Sequence, residues 1–503
     1  MEHGLLLILL GLLSYYIVHN SAKKYETTTP VWLLWLVTMI PALVWTAWLL
    51  IFGNDKPLPT WLVIAPFFVS PLLYGWLVQL GRVKPQVKAK PQPPQETQPV
   101  VLESESPSQE TTIKPISPKE ETALRNCFPW GVYYLQNIDY RPQGILCRGK
   151  LKTLPEEAYQ TIKHNVEKVF GDRFLLLFQE SLSGQPFFAL VPNVWAQKQD
   201  KSSESLDNPS LALGLLFITL FTTTMIGVEF GGISSAEFQN NPSLLLTGLP
   251  YSLSLIAILG VHELSHYFTA TYYKIKVTLP YFIPIPFFLG TVGAFIRMQT
   301  PAPHRKALFD TAISGPIGGF LITIPLLLWG LTQSETIDTA TAMSLRENSD
   351  SLEFFTTLDP HFSLLMSVLA KIALGNQLQP GVYLNLHPVA IAGFIGLLVT
   401  AFNLIPMGQL DGGQIIHAML GQNQGIVVGQ ITRLLMFILA IVQPPLIQPI
   451  FLIWAIMLLL MPVTSHPALN DVSELDNKRD IMGLLSLLLL LLILLPLPKG
   501  LGF

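Results

Sequence analysis

The sequence has few charged residues. Lys, Arg, Asp and Glu make up 13% of its 503 residues, against about 25% in an average soluble protein. The formal net charge is −3, so the chain lacks the excess of basic residues that nucleic-acid-binding proteins use, and no nucleic-acid partner is expected. Half of the residues are hydrophobic. This composition predicts an integral membrane protein that has the lipid bilayer as its surroundings.

Cysteine is also scarce. The two cysteines, Cys127 and Cys147, lie in one polar region without the spacing of a metal-binding motif, so we expect them in the core of a small domain. Nothing about them requires an oxidising compartment. No Arg/Ser-rich targeting stretch precedes the first apolar run, residues 5–18, so the sequence predicts no import into an organelle.

Long apolar runs fill most of the remaining sequence. A helix of about 20 apolar residues crosses the roughly 30 Å of bilayer hydrocarbon. The predicted fold is therefore mostly α, a polytopic bundle of about ten transmembrane helices. The predicted segments are residues 5–18, 30–52, 58–80, 209–231, 244–272, 307–331, 387–404, 425–443, 445–462 and 480–497.

One apolar stretch, residues 279–298, does not fit a continuous helix. It contains three prolines, followed by Gly290 and Gly293. Proline removes a backbone donor and clashes with the preceding helical turn. A membrane-embedded β-hairpin is predicted instead, and its irregular backbone must be covered by protein or line a cavity.

Two polar stretches interrupt the apolar pattern. Residues 83–120 are rich in Pro, Gln, Glu, Ser and Thr and predict a disordered linker. Residues 121–200 predict a small α+β domain of the order ββαββ, with a capping box at Thr153 opening its helix. We expect this domain to regulate the protein or to restrict substrate access. The predicted divisions are N-terminal transmembrane helices (1–82), linker (83–120), small cytoplasmic domain (121–200), membrane core (205–465), and C-terminal loop and helix (466–503).

The distribution of Lys and Arg predicts an orientation. The loop 231–243 contains neither residue, whereas Lys274, Lys276 and Arg297 follow the apolar segment that ends near residue 272. Because basic residues accumulate on the cytoplasmic side, the linker, the small domain and the end of that segment are predicted to face the cytoplasm.

The segment ILGVHELSHYFTATYY, residues 258–273, places titratable groups inside a predicted membrane helix. It contains the H-E-x-x-H sequence from His262 to His266. On a helix, positions i and i+4 share a face, so both imidazoles can bind one metal ion while Glu263 accepts a proton from water. Ionisable residues at membrane depth are functional by default, which disfavours the alternative of two histidines satisfied by neighbouring helices.

A catalytic zinc site commonly has a third protein ligand. Asp411 lies in NLIPMGQLDGG, residues 403–413, where one apolar helix ends near a proline and another begins beside two glycines. Broken helix ends let the backbone approach an ion closely, but an acid at a helix start is equally ordinary. The residues alone therefore leave several candidates open. They are His304, Asp310, His387, His417 and Asp411.

The two motifs together resemble those of the site-2 protease family (M50) of intramembrane zinc metalloproteases. HELSH is followed 149 residues later (411 − 262) by N-x-x-P-x-x-x-L-D-G. The resemblance implies one Zn²⁺ bound by His262, His266 and Asp411, with Glu263 as the general base. Residues 314–319 resemble the small-residue stretch of the family, for which we expect close helix packing.

Residues 290–295 resemble the membrane hairpin of the family, which implies that Gly290 and Gly293 contribute to substrate binding. Asn403 could donate to the substrate or the oxyanion, or pack at the helix break. RNCFPWGVYYLQNIDYRPQG, residues 125–144, resembles the cyanobacterial and plastid branch, whose members have a soluble N-terminal domain. The resemblance covers roughly residues 121–462, without a recognisable PDZ-like insertion.

The implied activity is that of a zinc metalloendopeptidase of the EC 3.4.24 type. It cleaves peptide bonds in or near the transmembrane segments of single-span membrane proteins. The implied location is a cyanobacterial-type plasma or thylakoid membrane, with the active site towards the cytoplasm. A metal-binding transporter and a catalytically silent scaffold are the alternatives. Matching half-length segments in two halves of the chain, typical of transporters, are not recognised, and the presence of all three ligands and the base disfavours a scaffold.

Overall fold

The computed structural model describes residues 29–52, 116–193 and 208–497, apart from gaps at 142–143, 182, 234, 287–288, 348–352, 380 and 443–447, and isolated positions between 11 and 80. The chain divides into two units, Met1–Ser108 and Gln109–Phe503. The predicted linker lies outside the described residues as far as residue 115, and so do most residues of the predicted segments 5–18 and 58–80.

In the first unit, residues 29–52 form two apolar helices, α1 (Val31–Thr38) and α2 (Ile40–Phe52). The sequence predicted one continuous segment here, but the two helices meet at Met39 with a bend of 55°. Pro41 lies in the first turn of α2. Because proline lacks the N–H group and restricts the residue before it, the helix breaks at this point.

The second unit begins with the small α+β domain. Its elements, in chain order, are α3 (Pro118–Asn126), β1 (Tyr133–Arg141), β2 (Gly144–Leu151), α4 (Pro155–Phe170), β3 (Phe174–Glu180) and β4 (Pro186–Pro192). The four strands form an antiparallel sheet in the order β1-β2-β4-β3. The predicted order ββαββ is therefore confirmed, whereas the predicted domain boundaries stay predictions.

Both cysteines lie in the core of this domain, as predicted. Cys127 and Cys147 are free and buried. Burial raises the pKa of the Cys147 thiol to about 12, so this thiol is neutral at physiological pH and packs as a small apolar side chain.

The capping box predicted at Thr153 is wrong. The N-cap of α4 is Leu154, whose side chain has no acceptor for a cap bond, so Thr153 lies one residue before the capping position. The hydroxyl of Thr153 donates to the carboxylate of Glu157. A complete capping box opens α3, where Ser117 and Glu120 bond each other's backbone N–H groups.

The remaining helices build the apolar part of the second unit. They are α5 (Pro209–Phe230), α6 (Ser235–Asn240), α7 (Leu249–Tyr272), α8 (Arg305–Thr332), α9 (Thr339–Glu347), α10 (Glu353–Thr356), α11 (Leu364–Leu374), α12 (Pro388–Leu404), α13 (Asp411–Leu420), α14 (Gln422–Val442), α15 (Gln448–Leu460) and α16 (Asn477–Leu494). Within the described residues, four helices are long and apolar enough to cross a membrane: α5, α7 with the turn before it, α8 and α14. They are five if α1 and α2 form one span. The protein is thus a mostly helical membrane protein, and the predicted number of about ten membrane helices stays a prediction.

Two small sheets interrupt the helices. Strands β5 (Tyr281–Pro284) and β6 (Thr291–Phe295) pair antiparallel in the region where a hairpin was predicted. A three-stranded sheet follows α8, with β7 (Glu335–Asp338), β8 (Thr357–Leu358) and β9 (Val382–Asn385) in the order β7-β9-β8.

Helix α8 occupies the centre of the apolar part and packs against α7, α12 and α13. The H-E-x-x-H sequence lies on α7, and NLIPMGQLDGG joins α12 to α13. The packing around α8 therefore brings together two motifs that are far apart in the sequence.

Candidate metal centre

His262 and His266 lie one turn apart on α7, and their side chains point the same way because the helical period is 3.6 residues. Both residues are buried, with 4% and 7% of their surface exposed. Their Nε2 atoms are 3.3 Å apart. The two nitrogens thus face a common point in the interior.

A backbone carbonyl on α8 sets the tautomer of His266. Its Nδ1 lies 2.7 Å from the carbonyl oxygen of Thr311. A carbonyl oxygen can only accept, so Nδ1 carries a proton and donates it to this bond. In the neutral imidazole the lone pair is then on Nε2, the atom that faces His262, which is the tautomer a metal ligand requires.

Asp411 is the first residue of α13 and completes the cluster. Its Oδ2 lies 3.4 Å from Nε2 of His262 and 3.3 Å from Nε2 of His266. Gly412 allows this placement, because a Cβ at this position would lie 2.0 Å from the carbonyl oxygen of Leu404 at the end of α12. The start of α13 therefore packs directly against the end of α12.

The three donor atoms fit a bound metal ion. The distances between them are 3.3, 3.3 and 3.4 Å. Zinc bound tetrahedrally at the usual Zn–N and Zn–O lengths of about 2.0–2.1 Å places its ligand atoms about 3.3–3.4 Å apart. His262, His266 and Asp411 could therefore hold one ion as they stand, with a fourth position left over.

Glycines of α8 make room for the two imidazoles. A Cβ on Gly315 would lie 2.0 Å from Nε2 of His266, and one on Gly319 would lie 3.1 Å from Nδ1 of His262. A Cβ on Gly318 would lie 2.1 Å from Oγ of Ser265 on α7. The close helix packing expected for residues 314–319 is confirmed, and it takes place at the metal centre itself.

Glu263 and Asn403 lie beside the cluster. Glu263 is buried on α7 with 8% of its surface exposed, and its carboxyl group faces the backbone of Ile296, directly after β6. Nδ2 of Asn403, near the end of α12, is 3.2 Å from Nε2 of His262. The structure thus places Glu263 next to the hairpin and Asn403 next to the metal ligands.

Gly290 and Gly293 lie in the hairpin. Both have positive φ angles, of 81° and 132°, which L side chains rarely adopt. The carbonyl oxygen of Gly290 accepts from the hydroxyl of Thr222 on α5, whereas the N–H and C=O groups of Gly293 both contact the hydroxyl of Thr291. These contacts give each glycine a role in shaping the hairpin, and their role in substrate binding stays a prediction.

The other candidates for the third ligand have different partners. Each of these side chains is satisfied by a backbone N–H group or by other polar side chains. His304 accepts from the N–H of Ala307, His387 accepts from the N–H of Val389, Asp310 pairs with Arg479 and accepts from Tyr273, and His417 bonds Asp471 and Ser465.

One contributor to the site had no signal in the sequence. Thr311 acts through its carbonyl oxygen, which every residue type possesses, so no side-chain pattern marks it. Thr311 lies four residues before Gly315 on the same face of α8. This spacing puts its carbonyl group opposite His266.

The chain matches known proteins over the region that contains this centre. Residues 250–442 match the model of Peptidase family M50. This range includes α7, α8, α12 and α13, and hence all three residues of the cluster. No solved structure matches the chain at a significant level.

Three curated plant proteins are similar over a longer range. The "Probable zinc metalloprotease EGY2, chloroplastic" of Oryza sativa subsp. indica is 29% identical over 380 residues, which are 74% of this chain and 65% of that protein. The protein of the same name from Arabidopsis thaliana is 29% identical over 74% of this chain and 63% of its own length. The "Probable zinc metalloprotease EGY1, chloroplastic" of Arabidopsis thaliana is 26% identical, with coverages of 70% and 66%. The chain thus spans slightly less than two thirds of the EGY2 proteins.

Proposed function

We propose that this chain, which belongs to peptidase family M50, is a zinc metalloendopeptidase that cleaves peptide bonds in or near transmembrane segments of membrane proteins. The observation that carries the proposal is the convergence of Nε2 of His262, Nε2 of His266 and Oδ2 of Asp411 at 3.3–3.4 Å. The names of the related plant proteins support the same activity.

His262, His266 and Asp411 would hold one Zn²⁺. When bound, Zn²⁺ polarises the scissile carbonyl and lowers the pKa of water. The carboxylate of Glu263 takes a proton from the attacking water and returns it to the nitrogen of the leaving amine. Burial of the glutamate between α7 and the hairpin keeps bulk water away from this transfer.

The second role of the site is to hold an extended substrate. A transmembrane helix hides its amides in its own hydrogen bonds, so a substrate must unwind before hydrolysis. Strand β6 offers an edge on which the unwound segment can pair, and Glu263 faces the chain directly after this strand. The hairpin also exposes Ile283, Val292 and Phe295, by 40%, 62% and 46%, which suits an apolar segment.

Near the ligands, Nδ2 of Asn403 lies within hydrogen-bonding distance of His262. In this proposal the amide orients the substrate carbonyl or donates to the oxyanion that develops on it. Gly290 and Gly293 shape the strand that holds the substrate backbone.

The proposed setting is a bundle of about ten membrane helices, with the hairpin at membrane depth and the metal centre towards the cytoplasm. Lys274, Lys276 and Arg297, close to the end of α7 and the hairpin, support this orientation. Single-span membrane proteins are the proposed substrates, and a cyanobacterial-type plasma or thylakoid membrane is the proposed location. A transporter or a silent scaffold is not favoured, since the related plant proteins carry the name zinc metalloprotease.

The test compares wild type with Glu263→Gln in purified full-length protein. Both proteins should contain one zinc ion per chain. Cleavage of a purified single-span membrane protein should fall by about 10²–10⁴-fold in the variant, the usual contribution of a general base. The matched control is Glu167→Gln, an exposed glutamate of α4, which should cleave like wild type. Wild type that binds zinc but cleaves none of several single-span proteins would contradict the proposal.

A further inference from the structure

A short segment near the C-terminal end of the chain connects the small domain to the apolar part. We call residues 468–473 the bridging segment. It runs parallel to the edge strand β3: the N–H of Phe178 donates to Leu469, and the N–H of Asp471 donates to Phe178, at 2.7 and 2.9 Å. Val472 packs into the hydrophobic core of the small domain. The bridging segment thus forms an isolated parallel bridge with the edge of this sheet.

The opposite side of the bridging segment is bonded to the chain that leads into α8. The N–H of Leu469 donates to the carbonyl of Ala302 at 2.8 Å, and the N–H of Asn470 donates to that of Pro303 at 3.1 Å. Backbone hydrogen bonds on both sides fix the segment between the two parts of the molecule.

Asp471 links the small domain to the helix that carries the third metal ligand. Its backbone N–H bonds β3, while its carboxylate oxygens lie 2.9 and 3.0 Å from Nε2 of His417 in the last turn of α13. Nδ1 of the same imidazole contacts Oγ of Ser465. His417 and Asp471 are 1% and 5% exposed. Two successive hydrogen bonds, both made by Asp471, therefore connect the small domain to α13, which begins at Asp411.

The order serine, histidine, aspartate also occurs in nucleophilic triads, but burial argues against that role here. A triad needs its imidazole beside a bound substrate, and only 1% of the surface of His417 is exposed. The cluster instead holds chain segments together.

Helix α13 is short and constrained at both ends. At its start, Cβ atoms on Gly412 and Gly413 would lie 2.0 and 2.5 Å from carbonyl oxygens of the preceding chain. At its end, Nε of the buried Arg305 donates to the carbonyl of Ala418 at 2.8 Å. A ten-residue helix moves as a rigid body, so a displacement at His417 is passed on to Asp411. In a formed site, metal–ligand distances lie within about 0.2 Å of their usual values, so a small displacement of Asp411 should weaken metal binding.

We propose that His417 and Asp471 are positioning residues for Asp411, and that the small domain sets the metal affinity of the centre through them. The proposal rests on the proposed function only for the identity of the ion. Its readout is zinc affinity, which is measured without a protein substrate.

The experiment measures the dissociation constant of zinc by competition with a fluorescent chelator, using the purified full-length protein. His417→Leu removes both side-chain bonds and should weaken zinc binding by about 10–100-fold, the usual cost of losing the support of a ligand. His417→Gln keeps an N–H donor for Asp471 and should restore most of this loss. Unchanged affinity in a folded His417→Leu protein overturns the proposal.

A second pair of variants tests the link to the small domain. Nε2 of Gln179 on β3 donates to the carbonyl of Ala468 at 3.2 Å, and Gln179→Ala should weaken zinc binding by about two- to tenfold. The matched control is Gln136→Ala, since Gln136 is an exposed glutamine on the opposite edge strand β1; it should leave the affinity unchanged.

Combining Gln179→Ala with His417→Leu distinguishes coupling between the small domain and the metal centre from a general loss of stability. In the His417→Leu background, Gln179→Ala should not weaken zinc binding further. The first substitution already removes the contact between Asp471 and His417 through which the small domain acts on Asp411. Additive effects would overturn the coupling. If His417→Leu aggregates, Asp471→Leu, which also removes the bond between the two side chains, provides the background instead. Wild type that binds no zinc would refute the proposed function itself, whereas zinc binding without the expected losses refutes only this inference.

Discussion

Among the described residues, histidine and aspartate form two clusters in the interior, and these differ in geometry. In the metal centre, Oδ2 of Asp411 lies 3.3–3.4 Å from two imidazole nitrogens. In the cluster of His417, the oxygens of Asp471 lie 2.9–3.0 Å from a single nitrogen, and Ser465 contacts the other nitrogen of the same ring.

The difference shows what distinguishes a metal site from a cluster that only holds chain segments together. Hydrogen bonds between nitrogen and oxygen have lengths of about 2.7–3.2 Å, so the His417 cluster is closed and both ring nitrogens are satisfied. The donors of the metal centre are slightly too far apart for this, and they converge on one point. Both clusters combine histidine with aspartate in the interior. The metal centre has three possible ligands that converge, whereas the His417 cluster pairs one imidazole with one carboxylate, so ligand number and spacing decide which of them can accept an ion.

The largest expected effect comes from exchanging the two aspartates for asparagine in turn. Asp411→Asn replaces an anionic ligand by a neutral one, and zinc affinity should fall by more than about 100-fold. Substitution of residues that only support a ligand already lowers metal affinity by about 10–100-fold. Asp471→Asn retains an acceptor for His417 and should still bind one zinc ion in excess metal. Metal analysis after gel filtration measures both. Loss of zinc in both variants would break the distinction between the clusters.

The next effect concerns the space around the ligands. Gly315→Ala adds a Cβ that would lie 2.0 Å from Nε2 of His266, so the imidazole must move and zinc affinity should fall by about 10–100-fold. The control is Gly214→Ala in α5, where a Cβ meets no atom within 4 Å. Chelator titration of the two proteins gives the comparison. Equal zinc affinities would show that the glycine is not required for the ligand geometry.

A smaller effect, on stability, is expected in the His417 cluster. Ser465→Ala removes the partner of Nδ1 of His417 and should lower the free energy of unfolding by about 1 kcal/mol. Because the bond between His417 and Asp471 remains, zinc affinity should be unchanged and the loss should be the same with zinc and with a chelator. Thermal unfolding in both conditions measures it. A loss that appears only in the presence of zinc would mean that this cluster, too, senses the metal directly.

The smallest effect on zinc is expected at Asp310, which the sequence alone left open as a ligand. Its carboxylate accepts two bonds from Arg479, at 2.6 and 2.7 Å. Asp310→Asn should leave zinc affinity unchanged and lower the free energy of unfolding by up to about 1 kcal/mol, as expected for a partly exposed ion pair. Metal titration and thermal unfolding check the two parts. Weaker zinc binding would place Asp310 in the metal centre.

Much of the fold could be predicted from local patterns. The ββαββ order of the small domain follows from alternating and helical periodicities, and the hairpin at β5 and β6 follows from prolines that exclude a helix. The capping box at Thr153 failed because α4 begins one residue later, with Leu154 as its N-cap. The exact first residue of a helix depends on backbone angles that the sequence pattern does not contain.

The sequence by itself determined that His262 and His266 face one way with Glu263 beside them, because the period of a helix is a local property. It also supplied the aspartate and glycines of the second motif. The resemblance of the two motifs also pointed to Asp411 among the five candidates. Only the tertiary structure brought Oδ2 of Asp411 beside both imidazoles, placed the carbonyl of Thr311 on His266, and joined Asp471 to both β3 and His417. These contacts join residues 45 to 293 positions apart (311 − 266 and 471 − 178), and packing around α8, rather than any local preference, brings the metal ligands together.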